Sequence, residues 1–88
     1  MTEEKVFTHF TDPAHGWIKV SKQLLKELGI ATKITAYSYQ KGDYAYLEED
    51  CDASLFVEEY EKQTGQKIKT VTSYAHRSAI RNFQSYKP

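Results

Sequence analysis

The chain has 88 residues, 40% hydrophobic and 27% charged, with Lys+Arg and Asp+Glu balanced at 12 each. That is room for one small domain with little core to give up to an enclosed cofactor cavity, so surface chemistry without a cofactor is expected. Zero net charge argues against generic adhesion to nucleic acid or membrane, and the single cysteine excludes an intramolecular disulfide and multi-cysteine zinc motifs.

In chain order, Val6 to Thr11 is rich in aromatic and β-branched residues and predicts a strand. Asp12-Pro13-Ala14-His15-Gly16 supplies Pro and Gly at turn spacing, and Trp17-Ile18-Lys19-Val20 predicts a second strand. Ser21 is placed to cap a short helix over Lys22 to Leu28, with Val20 able to staple to Leu25. Gly29 ends that helix, with Ile30 set to touch Leu25 in a Schellman arrangement, and Leu24, Leu25 and Leu28 form its buried stripe.

Ile34 to Gln40 and Tyr44 to Glu49 flank Lys41-Gly42-Asp43 and predict a hairpin, Gly42 supplying the positive φ of the turn. With Lys41-Gly42 as a two-residue loop, Tyr39 lies opposite Tyr44, Tyr37 opposite Tyr46 and Ala36 opposite Leu47. One face is then a ladder of Tyr37, Tyr39, Tyr44 and Tyr46. The other carries Ile34, Ala36, Ser38, Ala45 and Leu47, small enough to let a helix approach. Asp52 is placed to cap a second helix over Ala53 to Thr64, whose Leu55, Phe56 and Tyr60 face inward and which Gly65 ends. Ile68, Val71 and neighbouring Thr residues suggest a last strand through about Tyr74, followed by an irregular surface tail from His76 to Pro88.

The sum is a single α+β domain over residues 1–88 in the order ββαββαβ, a mostly antiparallel sheet of five strands with two helices on one face. No apolar run approaches the roughly 20 residues of a membrane helix, and the acidic, polar N-terminus is unlike a secretory signal, so a cytoplasmic protein with no membrane partner is expected.

Charge is polarised along the chain. Asp43 to Glu61 holds Asp43, Glu48, Glu49, Asp50, Asp52, Glu58, Glu59 and Glu61 without a base, whereas Lys62 to Pro88 holds Lys62, Lys67, Lys69, Arg77, Arg81 and Lys87 without an acid. The two segments either neutralise each other across neighbouring strands or present separate charged surfaces.

The stretches Asp12-Pro13-Ala14-His15-Gly16-Trp17-Ile18-Lys19-Val20 and Tyr44-Ala45-Tyr46-Leu47-Glu48-Glu49-Asp50-Cys51-Asp52 resemble small phage- and plasmid-type domains that carry a Pro-x-His-Gly turn and a Glu-Glu-Asp-Cys segment. The resemblance spans about residues 8–60. It implies a mobile-element setting, and it transfers no catalytic role to any residue.

Glu48-Glu49-Asp50-Cys51-Asp52 gathers carboxylates and a thiol at a strand end, where His9, His15 or His76 arriving from elsewhere would make a metal site or a Cys-His pair. The simpler reading places acids at the helix N-terminus and packs Cys51 against Phe56 as a small apolar residue. His15 is either a loop base or a turn residue bonded to local backbone, and His9 is an ordinary strand residue. The tyrosine ladder suits protein contact or base stacking, and also suits ordinary cross-strand pairing. Tyr74, His76, Arg77, Arg81, Phe83, Tyr86 and Lys87 have the composition of a single-strand nucleic-acid platform, and equally of a docked segment pinned by Ile80 and Phe83.

The leading expectation is a non-catalytic module of phage or plasmid origin that binds a host protein, such as a defence-system component, through Tyr37, Tyr39, Tyr44 and Tyr46 edged by Glu48 and Asp50. The acidic run would also let it imitate nucleic acid. Nucleic-acid binding through Arg77, Arg81 and Tyr86 is the second reading, and a thiol or metal-dependent hydrolase using Cys51 and a histidine the third. An aromatic sheet face can also be self-complementary, which admits a homodimer.

Overall fold

The computed structural model of the chain describes residues 6–75 and 79–88. Strands β1 (Val6–Thr11) and β2 (Gly16–Ser21) form the expected antiparallel pair, with His9 opposite Ile18 and Phe10 opposite Trp17. The turn between them is closed by Asp12, whose Oδ1 accepts from the backbone N–H of Ala14 at 3.0 Å and of His15 at 2.9 Å. Helix α1 (Lys22–Glu27) starts where Ser21 Oγ accepts from the Leu24 N–H at 3.1 Å. Its end has both Schellman bonds, Ile30 N–H to Leu25 O and Gly29 N–H to Lys26 O, each 3.0 Å, with Gly29 at φ 77°.

The hairpin follows in a different register. Strand β3 is confined to Tyr39–Lys41 and pairs with β4 (Tyr44–Glu48) so that Lys41 faces Tyr44, Gln40 faces Ala45 and Tyr39 faces Tyr46. The loop is therefore Gly42-Asp43, with Gly42 at φ 59°, and the expected pairing of Tyr39 with Tyr44 and Tyr37 with Tyr46 is corrected. Ile34 to Ser38 is not strand. A 3-10 turn over Ala31–Lys33 precedes it, and the buried carboxylate of Asp52 gathers the segment by accepting from Thr35 N–H, Thr35 Oγ1 and Ser38 Oγ. Asp52 stands at the N-cap position of α2 (Ala53–Thr64), yet its side chain makes no cap hydrogen bond, being spent on residues 35–38. Gly65, at φ 71°, ends α2 as its composition requires.

Strand β5 (Lys69–Tyr74) runs parallel to β1, and every one of its residues is exposed. From Ala79 the chain departs from the irregular tail expected of it. A 3-10 turn over Ala79–Asn82 leads to a short strand β6 (Gln84–Ser85), which pairs with β3. The result is one mixed six-stranded sheet in the order β5-β1-β2-β4-β3-β6, an α+β fold with one strand beyond the expected five.

Each sheet face has its own apolar cluster. On one side Ile18, Val20, Ala45 and Leu47 pack with Leu24, Leu25 and Leu28 of α1 and with Phe56 and Tyr60 of α2, and Phe7 meets Phe56 and Tyr60 edge-on at 5.2 and 5.3 Å. On the other, Trp17, Tyr46 and Ile80 are buried with Phe10, Tyr39 and Phe83 around them. The C-terminal segment crosses between the two: Ile80 and Phe83 cover the second cluster, while Tyr86 enters the first and donates its hydroxyl to Ala31 O at 2.7 Å. Among the described residues no helix is long and apolar enough to cross a membrane.

Candidate functional site

Because β2 and β3 both run antiparallel to β4, the start of β2, the start of β3 and the end of β4 meet at one end of the sheet. A cleft of about 340 Å³ opens there. Its aromatic wall is Trp17, Tyr37 and Tyr39, its acidic side Glu48 and Asp50, and His15, Cys51 and Arg81 complete it. Antiparallel pairing sets Trp17 directly opposite Glu48, and Tyr39 directly opposite Tyr46. Tyr37 precedes β3 and is 73% exposed, held at its backbone by a 3.3 Å bond from its N–H to Thr35 Oγ1.

Of the residues the sequence singles out for binding, Tyr37, Tyr39, Glu48, Asp50 and Arg81 are thus brought together. Tyr44 is not among them: it is 43% exposed under Lys19, whose Nζ lies 4.2 Å from its ring centroid, and it lines a separate depression with Val6 and Leu24. Tyr46 is 8% exposed, with Phe83 against it at 5.0 Å, and this burial raises its phenol pKa. The expectation of four solvent-facing tyrosines is therefore corrected, because Ile80 and Phe83 of the C-terminal segment occupy that face. Arg77 and His76 lie outside the described residues.

Arg81 arrives from the C-terminal 3-10 turn and forks onto Asp12, Nε to Oδ2 at 2.8 Å and Nη2 to Oδ1 at 2.9 Å. That hydrogen-bonded guanidinium holds the Asp12 carboxyl well below the usual carboxylate range and pushes Arg81 up in turn. Arg81 also lies over the Trp17 ring, 5.9 Å from its centroid. Trp17 itself is 1% exposed, and its Nε1–H is buried with no acceptor, the one such side-chain atom among the described residues.

Among the described residues the Cys51 thiol lies beside carboxylates, and no histidine is hydrogen-bonded to it. Cys51 is exposed, so the expected packing against Phe56 is not made. Its thiol is pushed up from the ordinary value, first by its hydrogen bond to Glu48, then by burial and by the charges of Glu48, Asp52 and Asp50. Glu48 stands between Cys51 and His15: its Oε1 is 3.7 Å from His15 Nδ1, and its Oε2 accepts from the Asp50 N–H at 3.0 Å. Among the described residues no three His, Cys, Asp or Glu side chains converge to hold a metal ion. His9 pairs with Glu49 at 3.5 Å, away from the cleft.

Trp17 and Asp12 escaped the sequence reading as site residues. The signal for Trp17 was its place opposite Glu48, which needed the β2–β4 register. The signal for Asp12 was a partner 69 residues away. No family model matches the chain, and comparison with curated proteins and with solved structures finds no match.

Proposed function

We propose that the protein is a small, non-catalytic protein-binding module encoded by a mobile element, acting in the cytoplasm by occupying a host protein such as a defence-system component. The observation that carries this reading is the cleft, in which the ring of Tyr37, 73% exposed, stands with Tyr39 beside the carboxylates of Glu48 and Asp50. An exposed aromatic in a segment tied to the sheet by the Asp52 hydrogen bonds offers large contact area at low rotamer cost. The mobile-element origin and the host target rest on the resemblance of residues 12–20 and 44–52 alone. In the nucleic-acid alternative, Arg81 is already committed to Asp12 and Tyr86 to Ala31, which leaves that reading fewer free contacts.

Affinity capture from host-cell lysate, with and without nuclease, tests the proposal. The native chain is expected to retain a nuclease-resistant protein that Tyr37→Ser loses and Tyr44→Ser keeps. Equal capture by all three chains, capture only of nuclease-sensitive material, or recovery of nothing but a second copy of the chain would overturn it.

A further inference from the structure

Aromatic rings on this side of the sheet carry cations supplied by the fold itself. Lys19 Nζ sits over Tyr44 at 4.2 Å, Lys41 Nζ over Phe83 at 5.0 Å, and the Arg81 guanidinium over Trp17 at 5.9 Å. Tyr37 is the most exposed of these aromatics and has no ring or cation against it among the described residues. In the same cleft the Asp50 carboxylate has no ion pair or hydrogen bond there either. Arg81, the cleft's own cation, is neutralised by Asp12. The site thus has a bare π-face and an unpaired carboxylate, the two halves of a seat for a positive group.

A third feature is independent of the acids. Trp17 lines the cleft, and its Nε1–H is fully buried without an acceptor, so a carbonyl oxygen brought by a ligand would satisfy that donor once the ring turns to meet it. A basic peptide residue carries both groups: a cation on its side chain and a carbonyl in its backbone. A nucleic acid carries the wrong charge for Glu48 and Asp50.

The geometry points to an arginine or lysine side chain of a protein partner, seated between the Tyr37 ring and the Asp50 carboxylate, as the group this cleft recognises. This rests on the protein-binding reading above and names the chemistry of its partner.

Trp17 is the sole tryptophan and lines the cleft, so its emission reports occupancy without knowledge of the natural partner. The chain is titrated with a capped hexa-arginine peptide, a capped hexa-lysine peptide, a capped hexa-glutamate peptide and a single-stranded oligonucleotide. A saturable change in Trp17 emission is expected with a basic peptide and with neither anion. Binding is expected to weaken roughly tenfold in Tyr37→Ala and in Asp50→Asn, two exposed positions whose loss leaves the core untouched, and to hold in Tyr44→Ala. Circular dichroism of each variant confirms the fold. No saturable response to either basic peptide, a response shared by hexa-glutamate or the oligonucleotide, or equal affinity in Tyr37→Ala and Asp50→Asn would overturn the inference. Loss of captured protein in Tyr37→Ser without basic-peptide binding would leave the protein-binding reading standing and remove this one.

Discussion

Arg81 and Asp12, 69 residues apart, are joined by two parallel hydrogen bonds of 2.8 and 2.9 Å. The same Asp12 closes the turn that carries His15, so one carboxylate locks the C-terminal segment to the mouth of the cleft. The fork geometry explains why an arginine stands here: a lysine would supply a point charge without the second bond. The segment so anchored carries Ile80 and Phe83, which cover Tyr46 and the inner part of the aromatic face. Arg81 therefore acts on the cleft by deciding which aromatics stay bare.

This pair predicts an acid-sensitive fold. The folded Asp12 carboxyl titrates well below the usual range, whereas in the unfolded chain it titrates near 3.9. Its contribution is thus full above about pH 4 and is lost as pH falls toward the folded value, because there the unfolded state binds the extra proton. Urea midpoints measured from pH 6 down to pH 2 should fall more steeply for the native chain than for Asp12→Asn, whose curve starts lower and runs flatter. Parallel curves would show that other carboxylates set the acid limb.

A second expectation concerns Asp52. As an ordinary N-cap its replacement would cost about 1 kcal/mol. Here it accepts from Thr35 and from the buried Ser38 hydroxyl, and Ser38 Oγ in turn accepts from the Glu48 N–H at 3.0 Å, so truncation strands a buried donor and frees the exposed Thr35. Asp52→Ala is expected to cost about 3 kcal/mol in urea denaturation, with the loss of Tyr37 placement showing as weaker partner capture. A cost near 1 kcal/mol would return Asp52 to a capping role.

Elements built from local contacts were legible in the sequence. Helix α1 has its Ser21 cap and Schellman end within ten residues, and α2 ends at Gly65, so composition alone locates both. Elements fixed by distant contacts were not. Ile34 to Ser38 has strand composition, but Asp52, 17 residues on, supplies the hydrogen bonds that bend it. Gly42 fits either of two neighbouring turn registers, and pairing with both β2 and β6 selects between them. The C-terminal segment shows no period because Ile80 and Tyr86 serve opposite faces of the sheet. For the site, the tyrosines and acids were visible as residue types. Which of them share a cleft depended on that register and on the Arg81 anchor.

Two glycines should lose stability to alanine unequally, and for different reasons. At Gly29 a Cβ meets nothing within 4 Å, but φ of 77° makes an L-residue strained, so Gly29→Ala is expected to cost about 1 kcal/mol or more. At Gly16 the backbone is ordinary, and the Cβ would meet Glu49 Oε1 at 2.7 Å and His9 Nε2 at 2.8 Å. The Glu49 side chain is long and partly exposed and can swing away, and the tip of the partly exposed His9 ring must turn aside with it, so Gly16→Ala should cost less than about 1 kcal/mol while breaking the His9–Glu49 pair. Thermal or urea unfolding of both variants checks the order. A larger loss at Gly16 would mean that the His9–Glu49 contact is rigid.

Cys51 provides the last test, because its exposure and its electrostatics pull in opposite directions. An exposed thiol is open to reagents, yet only thiolate reacts, and the hydrogen bond to Glu48 with acids on either side keeps this one protonated. Labelling of the native chain near pH 7 should therefore be slower than that of the urea-unfolded chain. Its rate should keep climbing above pH 8.5, where a free thiol begins to level off. Glu48→Gln removes the main cause and is expected to raise the neutral rate, roughly tenfold for each unit by which the thiol pKa falls. The slow native rate would separate this cysteine from a catalytic nucleophile, which needs a positive neighbour to hold its thiolate. Fast labelling at neutral pH, with no gain in Glu48→Gln, would instead require a base acting on Cys51 and would bring the thiol-enzyme reading forward.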